Sequence, residues 1–243
     1  ILGVINLAHG SFYMIGAYLA YWLSDKTGSL ALAIGLALPA TLLLGWVVER
    51  FAISFLYHRD HLYQVLLTYG LILIFNELQR IIWGNDVHGV AVPAVLAGAV
   101  QLTESQSYPV YRLFISAACI LVAAAMYVGI HRTRIGMMIR AGSSSREMVQ
   151  MLGIDVGRLF AIVFSVGAAL TAFAGILAAP INSVYPGMGE NVLIISFVVV
   201  VIGGIGSIKG AFIASMMIGL ADTFGRVMVP ELSSMVVYAL MAA

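Results

Sequence analysis

The sequence predicts an all-α integral membrane protein, a polytopic helical bundle with about eight visible spans, some of them broken or re-entrant. Hydrophobic residues make up 62% of the 243 positions and charged residues only 9%, whereas about a quarter of the residues in soluble domains are charged. The apolar runs are about twenty residues long, the length that a helix needs to cross roughly 30 Å of hydrocarbon. Runs of this length are too long for the strands of a membrane barrel, so helices are expected.

Seven apolar runs and the start of an eighth define the expected spans. They cover residues 1–23, 30–56, 62–83, 112–130, 158–181, 191–206 and 208–229, and another begins near 232. The whole chain, 1–243, is expected to form a single transmembrane domain that is truncated at both ends, because it starts at Ile1 and stops within an apolar run. A net charge of +1 argues against a nucleic-acid-binding surface. The one cysteine, Cys119, has no partner for an intramolecular disulfide.

A polar segment at residues 131–158 interrupts this apolar chain. It contains five of the twelve Lys and Arg residues, namely Arg132, Arg134, Arg140, Arg146 and Arg158. Because basic loops tend to stay on the cytoplasmic side of a membrane, the segment is expected there. With alternating spans, eight Lys and Arg then lie inside and four outside, and residues 84–111 form an external loop with a short helix near 90–100.

The middle of the polar segment predicts a short amphipathic helix. Ser144 and Glu147 fit a capping box, in which each side chain bonds the other residue's backbone N–H, so the helix is expected to begin at Ser144 and to end near Gly153. Its apolar face consists of Met148, Met151 and Leu152. Such a helix suits either a groove in a partner protein or the headgroup layer of the lipid, and the pattern alone leaves both open.

Polar and helix-breaking residues inside the spans mark candidates for a translocation pathway. Asn6, His9 and Gly10 have helical neighbour spacing in an apolar run, where polar side chains are costly unless they bond another helix or face water. Pro39 should kink its helix, and a glycine-rich run weakens another. The glycines of that run are Gly203, Gly204 and Gly206. A purely structural role is the alternative for both residues: the sequence favours it over a pathway role for His9, whereas the two are balanced for Pro39.

Small residues recur at every fourth position of the run at 158–181. They are Gly167, Thr171, Gly175 and Ala179. Stripes of this kind let helix backbones approach closely in lipid, so they predict packing rather than a substrate contact.

The sequence contains no recognisable source of energy for transport. It has no row of carboxylates across the spans, no phosphate-binding loop, no metal-ligand cluster and no nucleophile with its base, so no cofactor is expected on this chain. An autonomous secondary transporter or channel would need its own ion site, for which His9 with Asn6 is the only candidate. A membrane enzyme or an assembly scaffold would predict a reactive cluster at one membrane face, and the sequence shows none.

Three separated motifs resemble those of one transporter family. They are Asn6-Leu7-Ala8-His9-Gly10 with Met14 to Tyr18, Arg146-Glu147-Met148 with Leu152-Gly153-Ile154, and Gly203-Gly204-Ile205-Gly206-Ser207 with Gly210. In this order and spacing they resemble the high-affinity branched-chain amino acid permeases of ATP-binding-cassette importers, in the subunit type with the Asn-x-Ala-His-Gly motif. The likeness extends over nearly the whole chain.

The resemblance implies a transport subunit of a bacterial inner membrane that works without enzymatic activity of its own. It implies four kinds of partner: a second homologous permease subunit, two cytosolic ATPases that bind ATP-Mg, a periplasmic substrate-binding protein, and membrane lipid. Residues 131–158 would be the coupling loop seated in an ATPase. The coupling residues would be Arg140, Ser144, Arg146, Glu147, Met148, Met151, Leu152 and Gly153. Ser145, Arg146 and Glu147 depart from the usual acidic residue and two alanines, and relatives that carry urea or short amides leave the substrate open.

Overall fold

The computed structural model describes residues 6–57, 59–103 and 106–228, and most of them are helical. In chain order the helices are α1 (His9–Thr27), α2 (Leu30–Phe51), α3 (His61–Trp83), α4 (Val110–Arg132), α5 (Arg134–Ser144), α6 (Arg146–Met151), α7 (Val156–Ala178), α8 (Met188–Gly203) and α9 (Ile208–Met228). Short 3-10 turns occupy Ile53–Leu56 and Ala94–Leu96. Strands β1 (Ala99–Thr103) and β2 (Gln106–Pro109) form an antiparallel hairpin before α4.

The helical membrane class is confirmed, whereas the count of eight spans is not. Within the described ranges, five helices are long and apolar enough to cross a membrane, namely α2, α3, α4, α7 and α9. Helix α8 has only 16 residues, and α1 is not among the five. The span predicted near residue 232 lies outside the described residues.

Two expected interruptions take a different form in the structure. Helix α2 continues through Pro39, so it is a single helix and not two halves. The glycine-rich run forms the turn between α8 and α9, where Gly204 and Gly206 have φ of +86° and +87°. This left-handed conformation is costly for residues with a Cβ, which explains why the break falls here. The short helix expected near 90–100 is only a three-residue 3-10 turn followed by β1.

The core lies where α1, α2 and α7 pack together, with α3 and α8 beside α1. Glycines allow these backbones to approach: a Cβ on Gly16 would lie 2.6 Å from the Cα of Ala172 on α7, and one on Gly45 would lie 2.8 Å from the Cβ of Ala168. At Gly10 and Gly189, where α1 meets α8, a Cβ on either residue would overlap the other's backbone. Packing through the small residues of α7 is found at Gly175, where an added Cβ would overlap the carbonyl of Tyr13.

Helix α4 is attached to this core much less firmly. No residue of its most apolar stretch is buried, compared with more than half of the corresponding stretch of α7. It contacts α5, α9 and the hairpin, and near its start the hydroxyl of Tyr111 donates to the carbonyl of Leu177 on α7 at 2.9 Å. In the described part of the chain, α4 thus lies at the periphery of a tight core.

Candidate functional site

A cavity of about 1000 Å³ separates α4 from α7 and α8. Its walls are largely aliphatic and no Asp, Glu, Lys or Arg side chain lines it among the described residues. Helix α4 contributes Leu121, Val122, Ala125, Met126, Gly129 and Ile130 to the wall. A cavity of this size suits a small solute, and the aliphatic lining suits a solute with a hydrocarbon portion.

Five of the seven predicted pathway residues line this cavity. They are Asn6, His9, Gly10, Gly204 and Gly206. Gly203 instead faces α9, where a Cβ on it would lie 2.5 Å from the carbonyl carbon of Gly210. Pro39 is exposed on the outer surface of α2, away from the cavity. The structure thus brings Gly204 and Gly206 to the same cavity as the amino-terminal motif, although they are about 200 residues apart in sequence.

The Asn6 and His9 side chains form a fixed pair at this wall. The backbone N–H of Ala8 donates to Oδ1 of Asn6 at 2.9 Å, and Nδ2 of Asn6 lies 2.5 Å from Nδ1 of His9. The His9 ring meets Phe12 and Phe164 edge-on, with centroid distances of 6.0 Å and 5.4 Å. Both a hydrogen bond and two aromatic contacts therefore restrict the imidazole.

Several lining residues were not among the predicted pathway candidates. The whole α4 wall was missed, because its aliphatic residues look the same in sequence whether they face lipid or a cavity. Gly167 and Thr171 belong to the stripe expected to serve packing, yet both line the cavity. Thr171, Ser196 and Ser207 are polar residues within apolar helices or at their ends, and that polarity was the available signal.

The polar segment 131–158 contains two helices rather than the one expected. Ser144 is the last residue of α5, and the N-cap of α6 is Ser145, whose hydroxyl accepts from the backbone N–H of Met148 at 3.4 Å. The prediction of Ser144 as the cap was wrong because Ser145 is the residue with extended backbone, φ −151° and ψ 108°. Glu147 then stands one position too early to complete a capping box.

The apolar face of α6 is open to its surroundings. Met148, Met151 and Leu152 are 61%, 75% and 78% exposed. Leu152 is the C-cap of α6 and Gly153, with φ of +80°, follows it, so the helix ends at Gly153 as expected. Arg146 is the first residue of α6, and the exposed Glu147 follows it.

A close-fitting corner joins α4 to α5. Thr133 caps α5 by accepting from the N–H of Gly136 at 3.0 Å, and the guanidinium of Arg140 donates to the carbonyl of Ile130 at the end of α4. A Cβ on Gly136 would lie 2.5 Å from the carbonyl carbon of Ile130. Helices α4 and α5 therefore pack in close contact at this corner. A displacement of α5 should be transmitted to α4.

Helix α7 begins at the far side of the polar segment. Asp155 caps it, with Oδ1 accepting from the N–H of Arg158 at 3.0 Å and Oδ2 lying 2.9 Å from Nε of the same residue. Nearby, Tyr57 donates to Oε1 of Glu49 at 2.8 Å, and Glu49 is only 2% exposed. The side chains of Asp155 and Glu49 are thus each satisfied by a specific donor.

Comparison with known proteins places the chain among amino acid permeases. The family model described as branched-chain amino acid transport system / permease component matches residues 1–243. The high-affinity branched-chain amino acid transport system permease protein BraD of Pseudomonas aeruginosa is 30% identical over 239 residues, which cover 93% of this chain and 77% of the relative.

Two further relatives are similar over comparable lengths. LivH of Escherichia coli, likewise a high-affinity branched-chain amino acid transport system permease protein, is 29% identical over 236 residues, covering 91% of this chain and 76% of the relative. A probable LivH of Methanocaldococcus jannaschii is 27% identical over 228 residues, covering 90% and 71%. No solved structure matches the chain significantly. With a match over its full length and helices able to span a membrane, the chain is a multi-pass membrane protein that belongs to the branched-chain amino acid transport permease family.

Proposed function

We propose that this chain is the permease subunit of an ATP-binding-cassette importer that carries branched-chain or other small amino acids across the bacterial inner membrane into the cytoplasm. The observation that carries the proposal is the cavity beside α4, since its aliphatic wall without charged side chains suits a small solute with a hydrocarbon side chain. The same wall is less suited to urea or a short amide, which have little hydrocarbon to bury.

The energy for transport would come from partner subunits. Two cytosolic ATPases would bind ATP-Mg, a second homologous permease subunit would complete the membrane part, and a periplasmic protein would deliver the amino acid. The exposed face of α6, made of Met148, Met151 and Leu152, is the surface through which an ATPase would act on this chain. Flexible methionine side chains fit an apolar groove that changes shape during a cycle.

The contacts of α4 suggest how that action would reach the cavity. An ATPase that moves α6 would also move α5, which contacts α6. Helix α5 would in turn move α4, because the two helices are in close contact at Gly136. Helix α4 is free to respond because its apolar stretch is not buried, whereas α7 is fixed by close contacts with α1 and α2. Since α4 forms one wall of the cavity, its displacement would change access to the solute.

Reconstitution of the complete importer in proteoliposomes tests this proposal. Wild type should accumulate leucine against a gradient only when ATP and the binding protein are present. Met151→Asp and Leu152→Asp should abolish ATPase binding and uptake, because a charge would be placed on the apolar docking face.

The matched control is Val95→Asp, which also places a charge on an exposed apolar residue, 91% exposed, but in the loop before the hairpin. It should leave ATPase binding intact. Accumulation of leucine by this chain alone, driven by an ion gradient and without nucleotide, would instead identify an autonomous secondary transporter.

A further inference from the structure

The hydrogen bonds around Asn6 determine which nitrogen of His9 carries a hydrogen. A backbone N–H can only donate, so the atom that meets the N–H of Ala8 is the oxygen of the Asn6 amide. The other end of that amide is an NH₂ group, which also only donates, and it lies 2.5 Å from Nδ1 of His9. Nδ1 must therefore accept, and the hydrogen of the neutral ring is on Nε2.

The Nε2–H group is located at the wall of the cavity. A Cβ on Gly167 would lie 3.2 Å from Nε2, and both residues line the cavity. No residue in the described part of the chain accepts a hydrogen bond from Nε2. The contacts with Phe12 and Phe164 hold the ring in this orientation. The Nε2–H group of His9 is therefore an oriented hydrogen-bond donor beside the apolar cavity.

The chemistry of an aliphatic amino acid leaves one acceptor for this donor. Its ammonium group has only hydrogens to donate and its side chain forms no hydrogen bonds, whereas its carboxylate accepts strongly. A carboxylate in an apolar space needs such a partner, because its transfer from water without one is very unfavourable. No Lys or Arg side chain lines the described cavity to compete for it.

We propose that Nε2–H of His9 binds the carboxylate of the amino acid in the cavity, and that the missing side chain at Gly167 leaves room for this contact. The inference rests on the proposed function, since it assumes that an amino acid passes through this cavity. It assigns Asn6 a positioning role, because Asn6 fixes the tautomer and orientation of the imidazole without touching the solute.

The test measures initial rates of leucine uptake by the complete reconstituted importer at saturating binding protein. His9→Phe keeps an aromatic ring between Phe12 and Phe164 but removes the N–H group, and it should lower the maximal rate about tenfold, as expected for a lost charge-assisted hydrogen bond. The leucine concentration for half-maximal uptake should change little, because the external binding protein sets it. His9→Gln retains a side-chain N–H and should recover a substantial part of the lost rate.

A second pair of variants probes the space rather than the donor. Gly167→Ala places a methyl group 3.2 Å from Nε2 and should lower the maximal rate, with assembly and thermal stability unchanged. Gly219→Ala, the matched control on α9, adds a methyl group that meets nothing within 4 Å and should transport like wild type. This pair decides the question if His9→Phe does not assemble.

The outcomes separate the inference from the proposed function. If wild type shows no ATP-dependent leucine uptake, the proposed function fails. If wild type transports and His9→Phe or Gly167→Ala matches its maximal rate, the carboxylate assignment is wrong although the importer is real. Equal loss in His9→Phe and His9→Gln, with both assembled, would also overturn the assignment, since the N–H group would then not matter.

Discussion

The crossing of α1 and α7 allows a quantitative test of the packing. In Gly16→Ala the new Cβ would lie 2.6 Å from the Cα and 2.7 Å from the carbonyl carbon of Ala172, where ordinary contact begins at 3.4 Å. The two backbones would have to separate by at least about 0.8 Å, and neither can rotate away as a side chain would. Overpacking of this kind costs about 3 kcal/mol at the upper end of its usual range.

Thermal unfolding of the purified chain in detergent measures this cost. For a chain of this size, about 3 kcal/mol corresponds to a decrease of about 6–12 °C in Tm. Gly35→Ala is the control, because the new methyl group on α2 meets nothing within 4 Å and alanine favours a helix by about 1 kcal/mol over glycine. Unchanged Tm in Gly16→Ala would show that α1 and α7 do not approach through Gly16, and the core described above would have to be abandoned.

Substitutions at three other sites test separate contacts. Tyr57→Phe removes the donor to buried Glu49 and should cost about 1–3 kcal/mol by thermal unfolding; an unchanged Tm would mean that water or another group satisfies the carboxyl. Asp155→Ala removes the cap of α7 and should cost about 1 kcal/mol, whereas Asp155→Asn should retain most of that stability, and equal losses would exclude capping. Gly136→Ala forces α5 away from Ile130 and should lower leucine uptake per ATP hydrolysed; a wild-type ratio of uptake to phosphate release would refute the rigid corner.

Expectations that depend on local sequence were accurate. The boundaries of α3, α4, α7 and α9 agree with the predicted runs to within about three residues, because a membrane helix must present about twenty apolar residues whatever it packs against. Gly153 takes a positive φ after the last turn of α6, as expected. This helix end could be predicted because it depends on the residue type at one position and not on distant contacts.

Expectations that required a choice between residues of similar type and position were less accurate. Ser144 and Ser145 are equally good capping residues by type, and the choice between them depends on where α5 ends, which long-range packing sets. Pro39 lies inside α2, which continues through it as one helix, and the kink expected there stays a prediction. The coupling roles of all eight residues named between Arg140 and Gly153, and the pathway roles of all seven candidates, stay predictions.

The sequence by itself determined that this chain is a helical membrane protein with one polar segment, because the cost of leaving backbone or charge in hydrocarbon depends on composition along the chain alone. Only the tertiary structure decided which apolar faces meet each other and which enclose a cavity. Gly167 and Gly175 have the same type and lie on the same stripe of α7, yet one borders the cavity and the other packs against α1. A small residue is equally compatible with lipid, with a neighbouring helix and with an apolar cavity. Its role therefore depends on which of these the tertiary structure places opposite to it.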